Sequence, residues 1–274
     1  MAQKRLAVIM SVYKNDRADY VGLSINSILN QSFGDFDLFL QYDGMVPDEL
    51  NDRISSIVDD RLIIRKREVN RGLGFSLNEL LNIVLSEDYE YIARMDADDI
   101  ALLDRFQKQI DYLDKNQDVD ILGGAMNEID ENGVDRGKVV CYPITNEECR
   151  MFFAKRNPIA HPTVMFRKSY FKKTGCLYPT EYERNEDTAL WMEGFKHRAI
   201  MANLPDVLLN FRVTPAFFNQ RRNGKAFAKS QLELRKIIKK ELGYGWTSYV
   251  YAYAMYLLMI SPSWLIKIAY KVLR

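Results

Sequence analysis

Three carboxylates, Asp96, Asp98 and Asp99, directly follow a short apolar segment of the chain. Successive side chains of an extended chain point to opposite faces, so Asp96 and Asp98 can project together on either side of the small Ala97. Two such carboxylates repel each other unless a cation lies between them, and Mg²⁺ and Mn²⁺ prefer oxygen ligands, commonly including substrate phosphates. The cluster therefore predicts a metal–phosphate site. A second interpretation stays open, in which Asp99 caps a helix that begins near Leu102 in a solvated loop.

The segments around this cluster alternate between strand and helix patterns. Apolar runs predict strands at 6–13, 36–42, 62–65 and 89–95, and helical spacing of apolar residues predicts helices at 20–31, 50–58 and 73–85. This order is typical of right-handed βαβ units in a mostly parallel sheet. Ligands of such sheets bind beyond the carboxyl ends of the strands, where Ser11, Tyr13, Asp43 and the Asp96–Asp98 pair all fall. We expect these side chains to meet in one crevice.

The second half of the chain is less regular. A strand pair is predicted at 119–126 and 137–142 with a turn at Asn132-Gly133, and a helix is predicted near 147–154. A further helix follows Asp187, which should lie near its N-terminus.

The C-terminal region, 224–274, changes character. Residues 225–242 are helical and basic, and the Tyr-rich apolar run 244–260 is short for crossing ~30 Å of hydrocarbon. Aromatic sequence flanked by Lys and Arg suits a membrane interface, so peripheral membrane attachment through this region, including 264–274, is predicted. The alternative is that these helices pack on the rest of the protein.

Composition excludes several classes of protein. The 274 residues are 47% hydrophobic, which excludes a disordered chain, and a net charge of +1 gives no reason to expect nucleic acid as a partner. Three cysteines without CxxC spacing argue against a disulfide framework or a zinc site and fit a reducing cytoplasm. The apolar run 6–13 is shorter than the core of most signal peptides, so export by a cleaved signal is not expected.

The pattern as a whole resembles the inverting family 2 glycosyltransferases of the GT-A fold, particularly bacterial enzymes that build O-antigen and other surface polysaccharides. The resemblance covers residues 6 to about 215. Its marks, in order, are the strand 8–13, Asp43-Gly44, Asn70-Arg71-Gly72 with Asn78, the cluster 95–99 and Asn185-Glu186-Asp187. It implies an α/β, Rossmann-like sheet with helices on both faces, a nucleotide-binding half at 1–99 and an acceptor-binding half at 100–223.

The resemblance also implies roles for the donor site. Ser11, Tyr13 and Asp43 would hold the nucleoside, with the Tyr13 ring stacked on the base and Asp43 accepting from a base N–H. The resemblance places Arg71 in the donor-binding site as well. Asp96 and Asp98 would hold Mn²⁺ or Mg²⁺ against the diphosphate, while Asp99 contacts the sugar or caps a helix.

On the acceptor side, Asp187 resembles the catalytic base of the family. A helix N-terminus lowers the basicity of a carboxylate. The role of Asp187 as a base therefore depends on its proximity to the acceptor hydroxyl and on Glu186, which would raise its pKa. A phosphate contact is assigned to Arg212, or to Arg221 and Arg222, although Thr214 stands where the family commonly has His. His161 lines the acceptor site or is structural.

The function implied is metal-dependent, inverting transfer of one hexose from a UDP-sugar, such as UDP-glucose or UDP-galactose. The acceptor would be a lipid-diphosphate-linked saccharide at the cytoplasmic face of the bacterial inner membrane. A Gln-x-x-Arg-Trp signature is absent, which favours transfer of a single sugar over processive synthesis. The alternatives are a nucleotidyltransferase, for which a Gly-rich phosphate loop after the first strand is missing, and a non-catalytic sugar-nucleotide-binding protein.

Overall fold

The first hundred residues form alternating strands and helices, as predicted. The computed structural model describes residues 4–214 and 225–262. Its first elements are β1 (Leu6–Val12), α1 (Ala18–Leu29), β2 (Phe36–Asp43), α2 (Asp48–Ser55), β3 (Leu62–Arg67), α3 (Leu73–Ser86) and β4 (Tyr91–Met95). These strands pair in parallel in the order β3-β2-β1-β4. Predicted and observed ends agree to within three residues.

Both faces of this sheet are covered by helices. Leu6, Val8 and Met10 of β1 pack in one core with the apolar faces of α1 and α2, whereas Ala7 and Ile9 pack in a second core with α3. Because a strand buried on both faces needs apolar side chains at every position, β1 reads as a continuous apolar run in the sequence.

The second half adds strands that mix direction. Its elements are β5 (Ile100–Ala101), α4 (Arg105–Lys115), β6 (Ile121–Ile129), β7 (Asp135–Val140), α5 (Asn146–Phe153), β8 (Met165–Arg167), α6 (Ser169–Thr174), α7 (Glu186–Lys196) and β9 (Met201–Arg212). Beyond β4 the sheet continues as β8-β6-β9-β5, with β7 paired to β6. The strand β8 is antiparallel to both of its neighbours, while β6 and β9 are parallel. The predicted hairpin is confirmed as β6 and β7, and one sheet runs through both of the predicted halves.

The helix expected near Leu102 begins later, at Arg105. Residues 100–101 instead pair with β9, and a carboxylate oxygen of Asp99 accepts a hydrogen bond from the backbone N–H of Arg212 at 2.8 Å. The interpretation of Asp99 as a helix cap is therefore wrong, because the strand pairing separates it from the helix.

The C-terminal segment forms α8 (Lys225–Leu242), as predicted, and α9 (Thr247–Met259). Leu234 and Ile238 of α8 are buried in the same core as Trp191 of α7, so this helix packs on the body of the protein. Within 4–214 and 225–262, no helix is long and apolar enough to cross a membrane. The predicted boundary at 223/224 and the segment 264–274 lie outside the described residues.

Candidate active site

A cavity of about 1570 Å³ opens beyond the carboxyl ends of β1, β2 and β4. Parallel strands bring their carboxyl ends to one edge of a sheet, so residues that are distant in sequence meet there. Ten of the residues proposed from the sequence line this cavity: Ser11, Tyr13, Asp43, Arg71, Asp96, Asp98, His161, Glu186, Asp187 and Arg212. Asp99 lies behind the lining, while Arg221 and Arg222 fall outside the described residues.

One carboxylate oxygen from each of Asp96, Asp98 and Asp99 lies within 4.8 Å of the other two. Asp99 is fully buried, and one of its two oxygens has no hydrogen-bond partner among the described residues. Burial, followed by the charges of Asp98 and Asp96, raises the pKa of Asp99 well above its usual range. An unpartnered buried oxygen beside two partly exposed carboxylates is a donor set that fits a hard divalent cation.

Arg94 is a site residue that the sequence reasoning missed. Its two terminal nitrogens donate to the two oxygens of Asp96, one at 2.8 Å, and its side chain is 2% exposed. The backbone oxygen of Arg94 accepts from the buried Arg105 at 2.8 Å. A bidentate pair of this kind orients the Asp96 carboxylate. The available signal was a single arginine inside an apolar strand, since a buried charge requires a partner.

Arg212 holds the backbone around the cluster. Its Nε donates to the carbonyl of Asp98 at 2.9 Å, and Nη1 donates to the carbonyls of Asp130 and Glu131 at 3.1 and 3.2 Å. The guanidinium also lies 4.1 Å from the ring centroid of Tyr20. Arg212 therefore ties the Asp98–Asp99 turn to the β6–β7 turn, and a contact with phosphate stays a prediction.

Asp43 organises the loop that carries Arg71. One of its oxygens accepts from the Arg71 backbone N–H at 2.8 Å and from the Arg67 guanidinium, and the other accepts from the Gly72 N–H at 2.9 Å. Gly44, with φ of 89°, lets the chain turn here, because a Cβ atom would lie 2.8 Å from the backbone nitrogen of Asn70. The contact of Asp43 with a base stays a prediction. Arg67 was not foreseen.

Two further side chains leave groups open to the donor end of the cavity. The Arg71 guanidinium is half-exposed and stacks at 4.2 Å on the ring of Phe75. The Tyr13 side chain is 36% exposed, and the backbone N–H of Tyr13 donates to Asp16 at 2.9 Å. A fixed backbone with an open aromatic ring is what base stacking requires.

Asp187 lies in the first turn of α7, as predicted. One of its oxygens accepts from Asn157 Nδ2 at 2.9 Å, and the other accepts from the backbone N–H of Thr188 at 2.6 Å. The pKa of Asp187 is raised, chiefly by burial, while the Thr188 hydrogen bonds and the charges of Arg94 and Arg235 oppose the rise. Burial, rather than the neighbouring Glu186, is thus the main cause of its increased basicity.

The pKa values of Glu186 and His161 are also shifted from their usual range. Glu186 is 8% exposed, and burial together with Asp187 raises its pKa to about 7. Burial and the charge of Arg94 hold the pKa of His161 well below its usual range, so the imidazole is neutral. His161 Nε2 lies 2.9 Å from the Tyr178 hydroxyl, and its ring meets Trp191 edge-on. These contacts favour the structural interpretation of His161.

The far side of the cavity was not predicted. It is formed by side chains from the segment that follows α5, from α8 and from α9, including Lys155, Arg156, Leu232, Tyr251 and Met255. The segment after α5 lies far in sequence from the two helices, and no spacing within any of these segments indicates a shared wall.

The family described as Glycosyl transferase family 2 matches residues 7–175 of the chain. The chain is 32% identical over 243 residues to the amylovoran biosynthesis glycosyltransferase AmsE of Erwinia amylovora, covering 87% of this chain and 88% of that protein. It is 30% identical over 235 residues to an Escherichia coli protein named UDP-Gal:alpha-D-GlcNAc-diphosphoundecaprenol beta-1,3-galactosyltransferase, covering 84% and 81%.

A solved structure with the same fold is the mannosyltransferase PcManGT of Pyrobaculum calidifontis, in complex with GDP-Man and Mn²⁺. The TM-score is 0.62 at 14% identity, covering 99% of this chain and 80% of that one. The predicted GT-A fold is confirmed.

Proposed function

Because the chain belongs to glycosyl transferase family 2, we propose that it transfers one hexose from a UDP-sugar to a lipid-diphosphate-linked saccharide, with inversion at the anomeric carbon. One observation carries this proposal: Asp96, Asp98 and Asp187 line the same cavity. In this proposal, Asp96 and Asp98 act on the departing diphosphate, and Asp187 takes the proton of the incoming hydroxyl. A nucleotidyltransferase is not favoured, since the family match lies with sugar transfer.

The donor end uses Ser11, Tyr13, Asp43 and Arg71. Tyr13 offers its ring to the base, and Arg71 offers an exposed guanidinium to the diphosphate. The name of the Escherichia coli relative includes UDP-Gal, which supports UDP-galactose or UDP-glucose as the donor, whereas the mannosyltransferase binds GDP-Man. The titration described below therefore compares nucleotides that differ in their nucleobase.

Asp96 and Asp98, backed by Asp99, would hold Mn²⁺ or Mg²⁺, which when bound neutralises charge on the departing diphosphate. The related fold with Mn²⁺ supports this assignment. Arg94 keeps the carboxylate of Asp96 oriented, and Arg212 keeps the turn from moving. These two arginines maintain the site before the donor arrives.

Asp187 acts as the general base. Its carboxylate takes the proton of the acceptor hydroxyl, the hydroxyl oxygen forms a bond with the anomeric carbon, and the bond from that carbon to the diphosphate oxygen breaks. Attack from the face opposite to the leaving group inverts the configuration in one displacement. The burial that raises the pKa of Asp187 makes it a better proton acceptor than a solvated aspartate.

The proposed acceptor and location follow from two features. The name of the Escherichia coli relative includes a diphosphoundecaprenol-linked sugar, and α9 exposes large apolar side chains. We therefore propose a peripheral protein on the cytoplasmic face of the bacterial inner membrane, working in O-antigen or related polysaccharide synthesis.

The test is calorimetric titration of UDP, GDP and TDP into the purified protein, with Mn²⁺ and again with EDTA. Binding of UDP that is lost with EDTA supports both the base and the metal site. Binding of GDP or TDP instead would change the donor, and failure of all three would contradict the proposal.

Asp187→Asn then separates a transferase from a binding protein. We expect UDP affinity to stay within about twofold, while transfer of labelled hexose to lipid-diphosphate-linked GlcNAc falls at least ~100-fold, as expected for loss of a general base. The exposed Asp118→Asn is the matched control and should change neither quantity. Equal turnover by Asp187→Asn and the wild type would remove Asp187 from the mechanism, and a wild type without turnover would indicate a binding protein.

A further inference from the structure

One arm of the cavity leads from Asp187 to an apolar wall formed by α9. We call it the acceptor arm and define it by Lys155, Arg156, Tyr251, Met255, Tyr256 and Met259, all of which line the cavity. Two of these residues are cationic and the others are aromatic or apolar. A ligand that fits the arm therefore combines negative charge with a hydrocarbon chain.

The two cations are available to an anion. Lys155 is exposed, and Arg156 is half-buried with its Nε donating to the Tyr251 hydroxyl at 3.0 Å. Within the described part of the chain, no carboxylate forms an ion pair with either side chain. The Tyr251 contact orients the guanidinium and leaves its two terminal nitrogens for a ligand. Two adjacent unpaired cations are a pattern suited to phosphate groups.

The next residue links this pair of cations to the catalytic base. Asn157 Nδ2 donates to Asp187 at 2.9 Å, and its Oδ1 accepts from the half-buried Arg235 at 3.0 Å. Burial lowers the pKa of Arg235 to about 10, so it remains cationic at neutral pH and adds positive potential. Arg156 directly precedes Asn157 in the chain, so the pair of cations adjoins the residue that contacts the base.

Apolar side chains continue from the cations along α9. Met255 and Met259 follow Tyr251 by four and eight positions, about one and two helical turns, so these three side chains lie on the same side of the helix. Burial of hydrocarbon against such a surface contributes about 25 cal/mol per Å² of apolar area. The arm thus presents charge near the base and apolar surface farther away, in the order that a polar head and a lipid tail require.

We propose that Lys155 and Arg156 bind the diphosphate of the acceptor and that α9 holds the first part of its isoprenoid chain. This inference rests on the proposed function and adds the residues that recognise the acceptor lipid. Arg156 precedes Asn157, which contacts Asp187, so the proposal takes an acceptor in which the reacting sugar itself carries the diphosphate.

The probe is farnesyl diphosphate, titrated calorimetrically into the wild type and into Lys155→Ala/Arg156→Ala. EDTA is present, so that the carboxylate cluster holds no cation to attract the diphosphate. We expect the double variant to bind at least about tenfold more weakly, because two charge-assisted contacts are lost. Arg156→Lys should retain most of the affinity, and Lys115→Ala, an exposed lysine outside the cavity, should retain all of it. Farnesol and inorganic diphosphate should each bind the wild type more weakly than farnesyl diphosphate.

Three results would overturn the inference. In the first, farnesyl diphosphate does not bind the wild type. In the second, the wild type and the double variant bind it with equal affinity. In the third, inorganic diphosphate binds the wild type as tightly as farnesyl diphosphate does. A parallel titration of UDP with Mn²⁺ distinguishes this failure from failure of the proposed function. Retained UDP binding by the double variant shows that it is folded and that only the acceptor arm is affected, whereas loss of UDP binding by the wild type would contradict the donor assignment itself.

Discussion

Arg94 lies in a strand whose other residues are apolar, and its charge is compensated mainly by Asp96. The two partners are unequal, because the Arg94 side chain is 2% exposed and that of Asp96 is 26% exposed. Removing one member of such a pair lowers the free energy of unfolding by an amount that depends on which charge is left buried without a partner. At the scale of single residues, the carboxylate cluster is thus both the proposed metal site and the counterion of a buried cation.

Asp96→Asn should therefore destabilise the metal-free protein more than Asp98→Asn. The first change leaves Arg94 without its main counterion and should lower the free energy of unfolding by roughly 2–4 kcal/mol. The second removes a charge that repels the buried Asp99, so its effect should be small or stabilising. Urea unfolding in EDTA measures both values. Equal destabilisation by the two variants would show that Arg94 does not depend on Asp96.

Glu186 gives the site a pH dependence. Its pKa of about 7 means that it becomes charged as pH rises through neutrality, and a second charge beside Asp187 makes Asp187 more basic. We expect log(kcat/KM) to rise in a step centred near pH 7 in the wild type. Glu186→Gln cannot ionise and should lack this step while remaining active. An unchanged pH profile in Glu186→Gln would exclude Glu186 from the titration.

At the scale of elements, the end of β9 holds the Asp98–Asp99 turn in position. The Arg212 guanidinium bridges carbonyls of two separate turns, and buried carbonyls that lose their donors are costly. The strand thus acts on the carboxylates through the backbone. Arg17 lies on the same aromatic ring, 4.2 Å from the centroid of Tyr20, but its side chain is 60% exposed.

Arg212→Met should lower the free energy of unfolding by about 2–3 kcal/mol and weaken Mn²⁺-dependent UDP binding, since three hydrogen bonds to carbonyls are lost. Arg17→Met is the matched control and should change the free energy of unfolding much less, because its ion pair with Asp19 is exposed to solvent. Thermal or urea unfolding and calorimetry measure the two effects. Similar values for both variants would mean that the bridge contributes nothing beyond stacking on Tyr20.

At the scale of the whole molecule, α9 has two different faces. Residues that line the acceptor arm lie on one side, while the outward side exposes Trp246, Val250, Tyr253 and Leu257. Lys239 of α8 lies 4.4 Å from the ring centroid of Tyr249, which adds a cationic fringe to this aromatic surface. A surface of aromatic and apolar side chains edged by lysines suits an anionic membrane interface.

We expect the protein to co-float with vesicles that contain anionic lipids, and Val250→Ser/Leu257→Ser to reduce its partition at least about tenfold through lost apolar burial. Val58→Ser, which alters a highly exposed valine in the loop between α2 and β3, is the matched control and should have no effect. UDP binding should be unchanged in both variants. Equal flotation of all three proteins would contradict membrane attachment through α9.

Apolar patterning was enough to predict the parallel half of the sheet and the residue types of the site. β1, β2 and β4 are buried on both faces, so their apolar runs could be recognised without tertiary information, and the rule that parallel strands end at one edge placed Ser11, Tyr13, Asp43 and the Asp96–Asp98 pair together. The first turn of α7 could also be predicted from the sequence, because the helical pattern begins directly after Asp187.

The contacts that hold the site and the residues that form its far wall depend on long-range packing and could not be predicted. β9 contains Pro205 and pairs irregularly with β6, which masks a strand pattern, and β8 has three residues, too few to show one. The partners of Arg94, Arg212 and Asp43 come from contacts whose geometry no local spacing encodes. The acceptor arm joins the segment after α5 to α9 across almost a hundred residues, and such contacts depend on packing of the whole chain.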